Sequence, residues 1–280
     1  MIVSLPLGTN STTKMKAFLA IILSLTVFQG VSSAQINKSS EPISSKKLTN
    51  DFIEAAMMYP QNDYDNKIEG KVKLQFKVTL EGNATDFIII KPQSDAMNEE
   101  SIRLVRKILW KPAIINGRPI ESAQTYEIQF NIKHYDKIVK SRGYDRIETD
   151  HQNVDNSGKI YSFAELFIKP RPLLKDEYKN LSHFIQKSLK YPDAAYAAGI
   201  EGTVKLDFVI EEDGIASNLR IDQSVGGGCD NEAIRILQTI RWKPGLIDGL
   251  AVRSHNSLNI TFRISEHQQR AIPNRQASGL

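Results

Sequence analysis

Two stretches of the chain alternate apolar and polar side chains with a period of two. Val72, Leu74, Phe76 and Val78 point one way, and Lys71, Lys73, Gln75 and Lys77 the other. Further along, Val204, Leu206, Phe208 and Ile210 form a second such apolar face. Strict alternation predicts a half-buried strand. A glycine turn follows each stretch, Glu81-Gly82-Asn83 or Asp213-Gly214, because glycine takes positive φ at little cost. A second strand is expected at 85–91 and 217–223. A helical period then sets in. Asn98 and Asp230 are read as N-caps, with Glu99, Glu100 and Glu232 in the first turn. The buried stripe is Ile102, Val105 and Leu109 in one stretch, and Ala233, Leu237 and Ile240 in the other. Trp-Lys-Pro closes both helices, and a last alternating strand is expected at 126–132 and 258–264. An earlier helix, 48–58 or 178–189, stops at Tyr-Pro, since the residue before a proline is pushed out of the helical region.

These two readings are one pattern at a constant offset of 132. Phe52-Ile53 matches Phe184-Ile185, and Tyr59-Pro60 matches Tyr191-Pro192. Ile68-Glu69-Gly70 matches Ile200-Glu201-Gly202, and Trp110-Lys111-Pro112 matches Trp242-Lys243-Pro244. No gap is needed from 52 to 132, so the chain contains a duplication. The expected fold is α+β: two tandem two-layer domains, each a three-stranded antiparallel sheet with two helices on one face. The first domain is placed at 48–132 and the second at 176–264. Residues 35–47 are read as a polar linker and 265–280 as a polar tail. Residues 133–175 are read as a linker, charged at first, with an extra strand or arm near 160–168 that belongs to the second copy.

The N-terminus changes the picture of where the chain works. Lys14-Met15-Lys16 precedes an apolar run at 17–28, and Val31-Ser32-Ser33-Ala34 offers small residues for cleavage after Ala34. This is the pattern of a secretory signal peptide over 1–34, with Met15 as an alternative start. Twelve apolar residues make a helix of roughly 18 Å, short against a hydrocarbon core of about 30 Å. The expectation is an exported, periplasmic protein, membrane-attached only if this segment stays uncleaved. Of 280 residues, 41% are hydrophobic and 24% charged, with 36 basic and 32 acidic side chains. That balance gives no whole-chain electrostatic case for nucleic acid or an anionic membrane. The single Cys229 excludes an intrachain disulfide framework and a cysteine metal cluster.

Candidate chemistry is thin. His134, His151, His183, His255 and His267 show no metal-ligand spacing, so no metal or other cofactor is expected. Gly226-Gly227-Gly228 before a helix lacks the Lys-Ser or Lys-Thr of a phosphate loop. Trp110 and Trp242 beside prolines read as core plugs. No catalytic constellation stands out, and the chain is read as not an enzyme.

Taken together, Tyr-Pro, Gly199-Ile200-Glu201-Gly202-Thr203-Val204, Asp213-Gly214 and Trp242-Lys243-Pro244-Gly245 resemble the TonB C-terminal domain. The second copy is the better match. The first has Gln61-Asn62-Asp63 where alanines are usual, Lys67 in place of Gly199, and no glycine run. The resemblance implies binding of extended peptide segments of outer-membrane transporters by strand addition at the last strand. It assigns that role to Leu258, Asn259, Ile260, Thr261, Phe262, Arg263 and Ile264, and more weakly to Tyr126, Ile128, Phe130 and Ile132. Two alternatives are an energy transducer anchored through an uncleaved N-terminus and an assembly protein that pairs its own sheet edges into a homodimer.

Overall fold

A computed structural model describes residues 36–142 and 153–265. The leader segment expected at 1–34 lies outside the described residues, as does the tail beyond 265. In chain order the first copy contains β1 (Ile36–Lys38), β2 (Glu41–Pro42), α1 (Lys46–Ala56), α2 (Gln61–Asp65), β3 (Gly70–Val78), β4 (Ala84–Lys91), α3 (Asp95–Lys107), β5 (Trp110–Lys111), β6 (Ala113–Ile115), β7 (Arg118–Ile120), β8 (Ser122–Phe130) and α4 (Ile132–Arg142). The second contains β9 (Ile160–Tyr161), β10 (Arg171–Leu173), α5 (Leu181–Ser188), α6 (Asp193–Ala197), β11 (Gly202–Ile210), β12 (Ala216–Gln223), α7 (Cys229–Thr239), β13 (Arg241–Lys243), β14 (Gly245–Ile247) and β15 (Leu250–Phe262).

Each copy is built on a three-stranded antiparallel sheet, β4-β3-β8 or β12-β11-β15, with the alternating apolar faces of the strands turned to the helices. Val72, Leu74, Phe76, Ile128 and Phe130 meet Met97, Leu104 and Val105 of α3 in the first core. Val204, Leu206, Phe208, Ile260 and Phe262 meet Ala233, Ile236 and Leu237 of α7 in the second. The second copy adds to its sheet β14 and a parallel strand, β9.

The repeated motifs turn out to hold the fold together. The glycine after the first strand has φ +84° at Gly82 and +77° at Gly214. A Cβ there would sit 2.2 Å from the Trp110 carbonyl oxygen, or 2.0 Å from that of Trp242. The Trp N–H donates back to the same glycine's carbonyl, at 2.9 Å and 3.0 Å. The turn and Trp-Lys-Pro are thus one contact between two backbones, which only glycine allows. Tyr59 and Tyr191 each donate their hydroxyl at 2.6 Å to the carbonyl of Ile68 or Ile200. Glu69 and Glu201 each accept the N–H two residues beyond the last strand, from Ile132 at 2.6 Å and Ile264 at 2.5 Å.

Several boundaries differ from the sequence reading. The long helix of the first copy starts at Asp95 with Ser94 as its cap, and that of the second at Cys229 with Gly228 in the cap position. Asn98 and Asp230 lie inside the first turn and reach backward. Asn98 accepts from Gln93 N–H, and Asp230 accepts from Val225 N–H and Gly226 N–H. The segment read as a polar linker is held in place: β1 pairs β6, Pro42 of β2 faces Trp110, and Ser40 and Ser44 are buried. A second arm does the same in the other copy, where Ile168 bridges Leu246 and Pro172 faces Trp242. The duplication therefore reaches upstream of residue 52, at an offset of 130. A two-residue length difference before the helix hides it from an ungapped match. The charged start of the second linker is helix α4, laid back on the first copy. Tyr135 packs beside Tyr59, and Tyr64 donates to Asp136 at 2.7 Å.

The two copies dock through ions taken out of water. The second copy's turn, Glu211–Gly214, lies against the C-terminal end of α3. Lys107 Nζ stands 2.6 Å from Glu212, 3.0 Å from Asp213 and 3.7 Å from Glu211. Arg253 clasps Glu211 at 2.8 Å and 3.0 Å and donates to the Lys107 carbonyl at 2.8 Å. Asn218 accepts from Leu109 N–H at 2.7 Å and donates to the Lys107 carbonyl at 2.9 Å. Burial alone would discharge Lys107, but the three carboxylates outweigh it and raise its pKa. Asp213 is likewise pushed up by burial, yet Lys107 and Arg103 hold it below the ordinary carboxylate range. Glu212 is the exception: burial drives its carboxyl upward, and Lys107 offsets that only in part. Ile215 plugs into the first copy's core beside this cluster.

Candidate peptide-binding edges

β8 pairs antiparallel with β3 from Ser122–Val78 to Phe130–Gly70. Among the described residues no strand pairs with its other edge. Every second residue of β8 therefore offers its N–H and C=O outward. A cleft of about 850 Å³ runs along this edge. Gln124, Thr125, Tyr126 and Glu127 all line it. Successive side chains of a strand point to opposite faces, so four in a row can border one cleft only along the strand's edge. The opposite wall is the arm from Ser40 to Ser45 and the start of α1, with Trp110 and Lys111 at one end.

The cleft mixes polar and apolar surface, with charged side chains at its rim. Gln124 donates to the Ser40 hydroxyl at 2.7 Å and the Ser40 carbonyl at 3.1 Å, tying the arm to the start of β8. Tyr126 donates to Asn50 at 3.1 Å, and burial raises its pKa, so the phenol stays neutral. Of the charges at the rim, Lys111 pairs with Glu41 at 3.1 Å and Glu127 with Lys71 at 2.6 Å, and Lys46 has no ion pair among the described residues. The indole N–H of Trp110 is buried with no acceptor.

In the second copy β15 is longer. Its outer edge is occupied at the start by β14 and then by Ile160 and Tyr161 of β9, alongside Arg253 and Ser254. From His255 to Phe262, among the described residues, only β11 pairs with it, on the inner side. Burial, then Arg220 and Arg253, lower the pKa of His255, so its imidazole is neutral at pH 7.

The model of the Gram-negative bacterial TonB protein C-terminal family matches twice, at residues 55–132 and 187–264, which is more than half the chain. The chain belongs to the TonB C-terminal family. The solution structure of the TonB C-terminal domain of Pseudomonas aeruginosa is similar at 28% identity, covering 34% of this chain and 86% of that one, with a TM-score of 0.26. Comparison with curated protein sequences gives no match. Membership associates the chain with TonB-dependent transport in the bacterial envelope, in a family that is not enzymatic. No described helix is long and apolar enough to cross a membrane.

The residues assigned from the TonB resemblance divide sharply in this structure. Ile128, Phe130, Leu258, Ile260 and Phe262 face the cores and are buried. They hold the edge strand in place, and a partner meets only their backbone. Asn259 and Thr261 are exposed on the outer face and Tyr126 is half-buried. Ile132 falls outside the strand, as the first residue of α4, and Arg263 and Ile264 follow the end of β15. The sequence stopped the last strand too late and started it too late because Ser122 and Gln124 occupy inward positions. Polar residues there break the apolar alternation while the backbone pairing continues. The cleft residues Ser40, Asn50, Gln124 and Thr125 carried no period and no motif, so nothing in the sequence singled them out.

Cys229 is buried, and burial followed by Asp230 raises its thiol pKa, which leaves it a protonated core side chain. Trp110 and Trp242 are buried against Phe76 and Phe208.

Proposed function

We propose that this chain is an exported, periplasmic TonB-like adaptor that binds extended peptide segments of outer-membrane transporters by strand addition at its last strands. The observation that carries this reading is the unpaired edge of β8 with a cleft of about 850 Å³ along Gln124–Glu127. An edge of this kind supplies main-chain hydrogen bonds to any extended segment, and the cleft adds limited side-chain selection. Its mixed lining, with Asn50, Gln124 and Thr125 beside Tyr126 and Trp110, favours small polar or aromatic side chains at alternate peptide positions. β15 offers a second edge over His255–Phe262.

The test is a binding titration with short peptides from the periplasm-facing ends of outer-membrane transporters. Each is made in two forms, one with its backbone intact and one N-methylated at alternate residues. Strand addition requires that N-methylation in one register abolish binding, while the other register, whose N–H groups point away, tolerates it. Equal binding of all forms would rule out a main-chain ladder. Replacing Gln124 and Tyr126 with alanine is expected to weaken binding at β8, since it strips the cleft and leaves the β3 pairing intact.

A further inference from the structure

The two arms follow the same path and carry opposite chemistry. In the first copy the arm places Glu41 opposite Lys111, an ion pair of 3.1 Å. In the second the matching cross-strand positions are Arg171 and Lys243, both exposed and, among the described residues, neither in an ion pair. Like charges directly opposite on a ladder repel. The positions held by Asn37 and Lys38 in the first arm are Phe167 and Ile168 in the second. Phe167 is 85% exposed, and Phe163 and Leu173 are each about half exposed, at 51% and 52%. Along the extended arm Phe167, Lys169, Arg171 and Leu173 alternate outward, so apolar ends flank a basic middle.

This surface is held rigid. Lys169 Nζ donates to the carbonyls of Leu166 at 2.9 Å and Phe163, closing the loop, and its charge lies 4.9 Å over the Phe163 ring. Glu165 accepts from Ser162 N–H at 2.7 Å and pairs with Lys159 at 3.2 Å. Leu166 anchors the loop, buried against Gly245. Among the described residues only the Lys169 side chain lies over Phe163, and Phe167 stands almost fully exposed. Acids are present at Glu165, already paired, and at Asp248 on the hairpin tip; the ladder itself keeps its surplus of positive charge.

We propose that the arm of the second copy, centred on Phe167 and the Arg171–Lys243 pair, docks on the surface of a bilayer rich in acidic phospholipid. Aromatic side chains enter the interfacial layer, and unpaired cations beside them meet phosphate headgroups. The near-neutral charge of the whole chain hides this local arrangement. The site is independent of the strand edges and of the leader segment.

Vesicle co-sedimentation tests it. The protein used is residues 35–280, which keeps every described residue and removes the apolar run at 17–28. Vesicles rich in phosphatidylglycerol are compared with vesicles of phosphatidylcholine alone. The expected result is binding to the first, weakened by salt, and little to the second. Arg171→Glu recreates the opposite-charge pair of the first copy, so it should fold as well as the parent and bind at least about tenfold more weakly. Phe167→Ser should lower binding several-fold. Equal binding to both vesicles, no binding to acidic vesicles at low salt, or full binding by folded Arg171→Glu would each overturn the proposal.

Discussion

The hairpin turn of the first copy, Thr79-Leu80-Glu81-Gly82, and that of the second, Glu211-Glu212-Asp213-Gly214, have the same backbone and opposite fates. The first stands in solvent, with Leu80 half exposed. The second is buried against α3 of its neighbour and carries three carboxylates around Lys107. The same holds for the residues around them. Asp86 and Asn218 share φ +53°, yet Asp86 is exposed and pairs with Lys77 at 3.0 Å, while Asn218 is buried and bonds to Lys107 and Leu109. The position of Lys107 in the first copy is Thr239 in the second, and that of Arg253 in the second is Glu121 in the first. Motif residues common to both copies build the fold, whereas residues outside the motifs decide which copy receives and which inserts. The free turn keeps only one of the three acids, Glu81, and α7 lacks the lysine, so the pair of copies offers this contact in one direction and not in the other.

The sharpest way to break the comparison is to remove the lysine. Lys107→Ala leaves Glu211, Glu212 and Asp213 facing one another with Arg103 and Arg253 as their remaining cations. It should cost about 3–5 kcal/mol in denaturant unfolding. Thr239→Ala at the matching position should stay within about 0.5 kcal/mol. Equal losses at the two sites would mean that the ion cluster is incidental to docking.

Acid provides the next test. The pKa of Asp213 is depressed in the folded state, so its contribution is present above its ordinary value of 3.8 and is lost as pH falls through the lower folded value. Glu212 works with the opposite sign. Its pKa is raised above 4.5, so its ionised form is penalised in the folded protein, and protonation relieves that as pH falls toward 4.5. Stability should therefore hold or rise slightly on mild acidification and then drop below 3.8. Asp213→Asn should flatten the drop. A matching Glu81→Gln should flatten it less, since that carboxyl is also held below its ordinary value, by its own backbone N–H and the Thr79 hydroxyl, but stands fully in solvent.

The smallest effect concerns one backbone position. Lys67 and Gly199 occupy equivalent sites with φ +56° and +65°, and nothing lies within 4 Å of a Cβ placed at Gly199. Lys67→Gly should stabilise the first copy and Gly199→Ala should destabilise the second, each by roughly 1 kcal/mol. Thermal unfolding that moves both variants in the same direction would contradict this.

Much of this architecture was legible in the chain. Period-two runs such as Val72–Val78 report a sheet with one buried face, and Gly82 and Trp110 recur in both copies with their spacing intact, although their backbone contact was not read from it. Three things were not legible. The strands of the arms are only two or three residues long, too short for any period, and their offset slips by two. Helix α4 lies in a charged stretch, and its packed side, Ile132, Tyr135, Ile138 and Val139, is only half-buried. The docking of the copies depends on Lys107, which reads in sequence as a solvated helix residue because the carboxylates that bury it lie more than a hundred positions away. Of the edge strands, the inward residues were found and the cleft was missed, since an edge is made of backbone.

Amide hydrogen exchange of the whole chain, with and without a bound transporter peptide, tests strand addition most directly. The outward N–H groups of β8 between Ser122 and Phe130, and those of β15 between His255 and Phe262, should exchange rapidly in the free protein. One or both sets should become protected on binding, while β3 and β11 stay as they were. Protection confined to the outer sheet face around Lys73 and Ile88, or to the helices, with both edges still exchanging, would contradict the account.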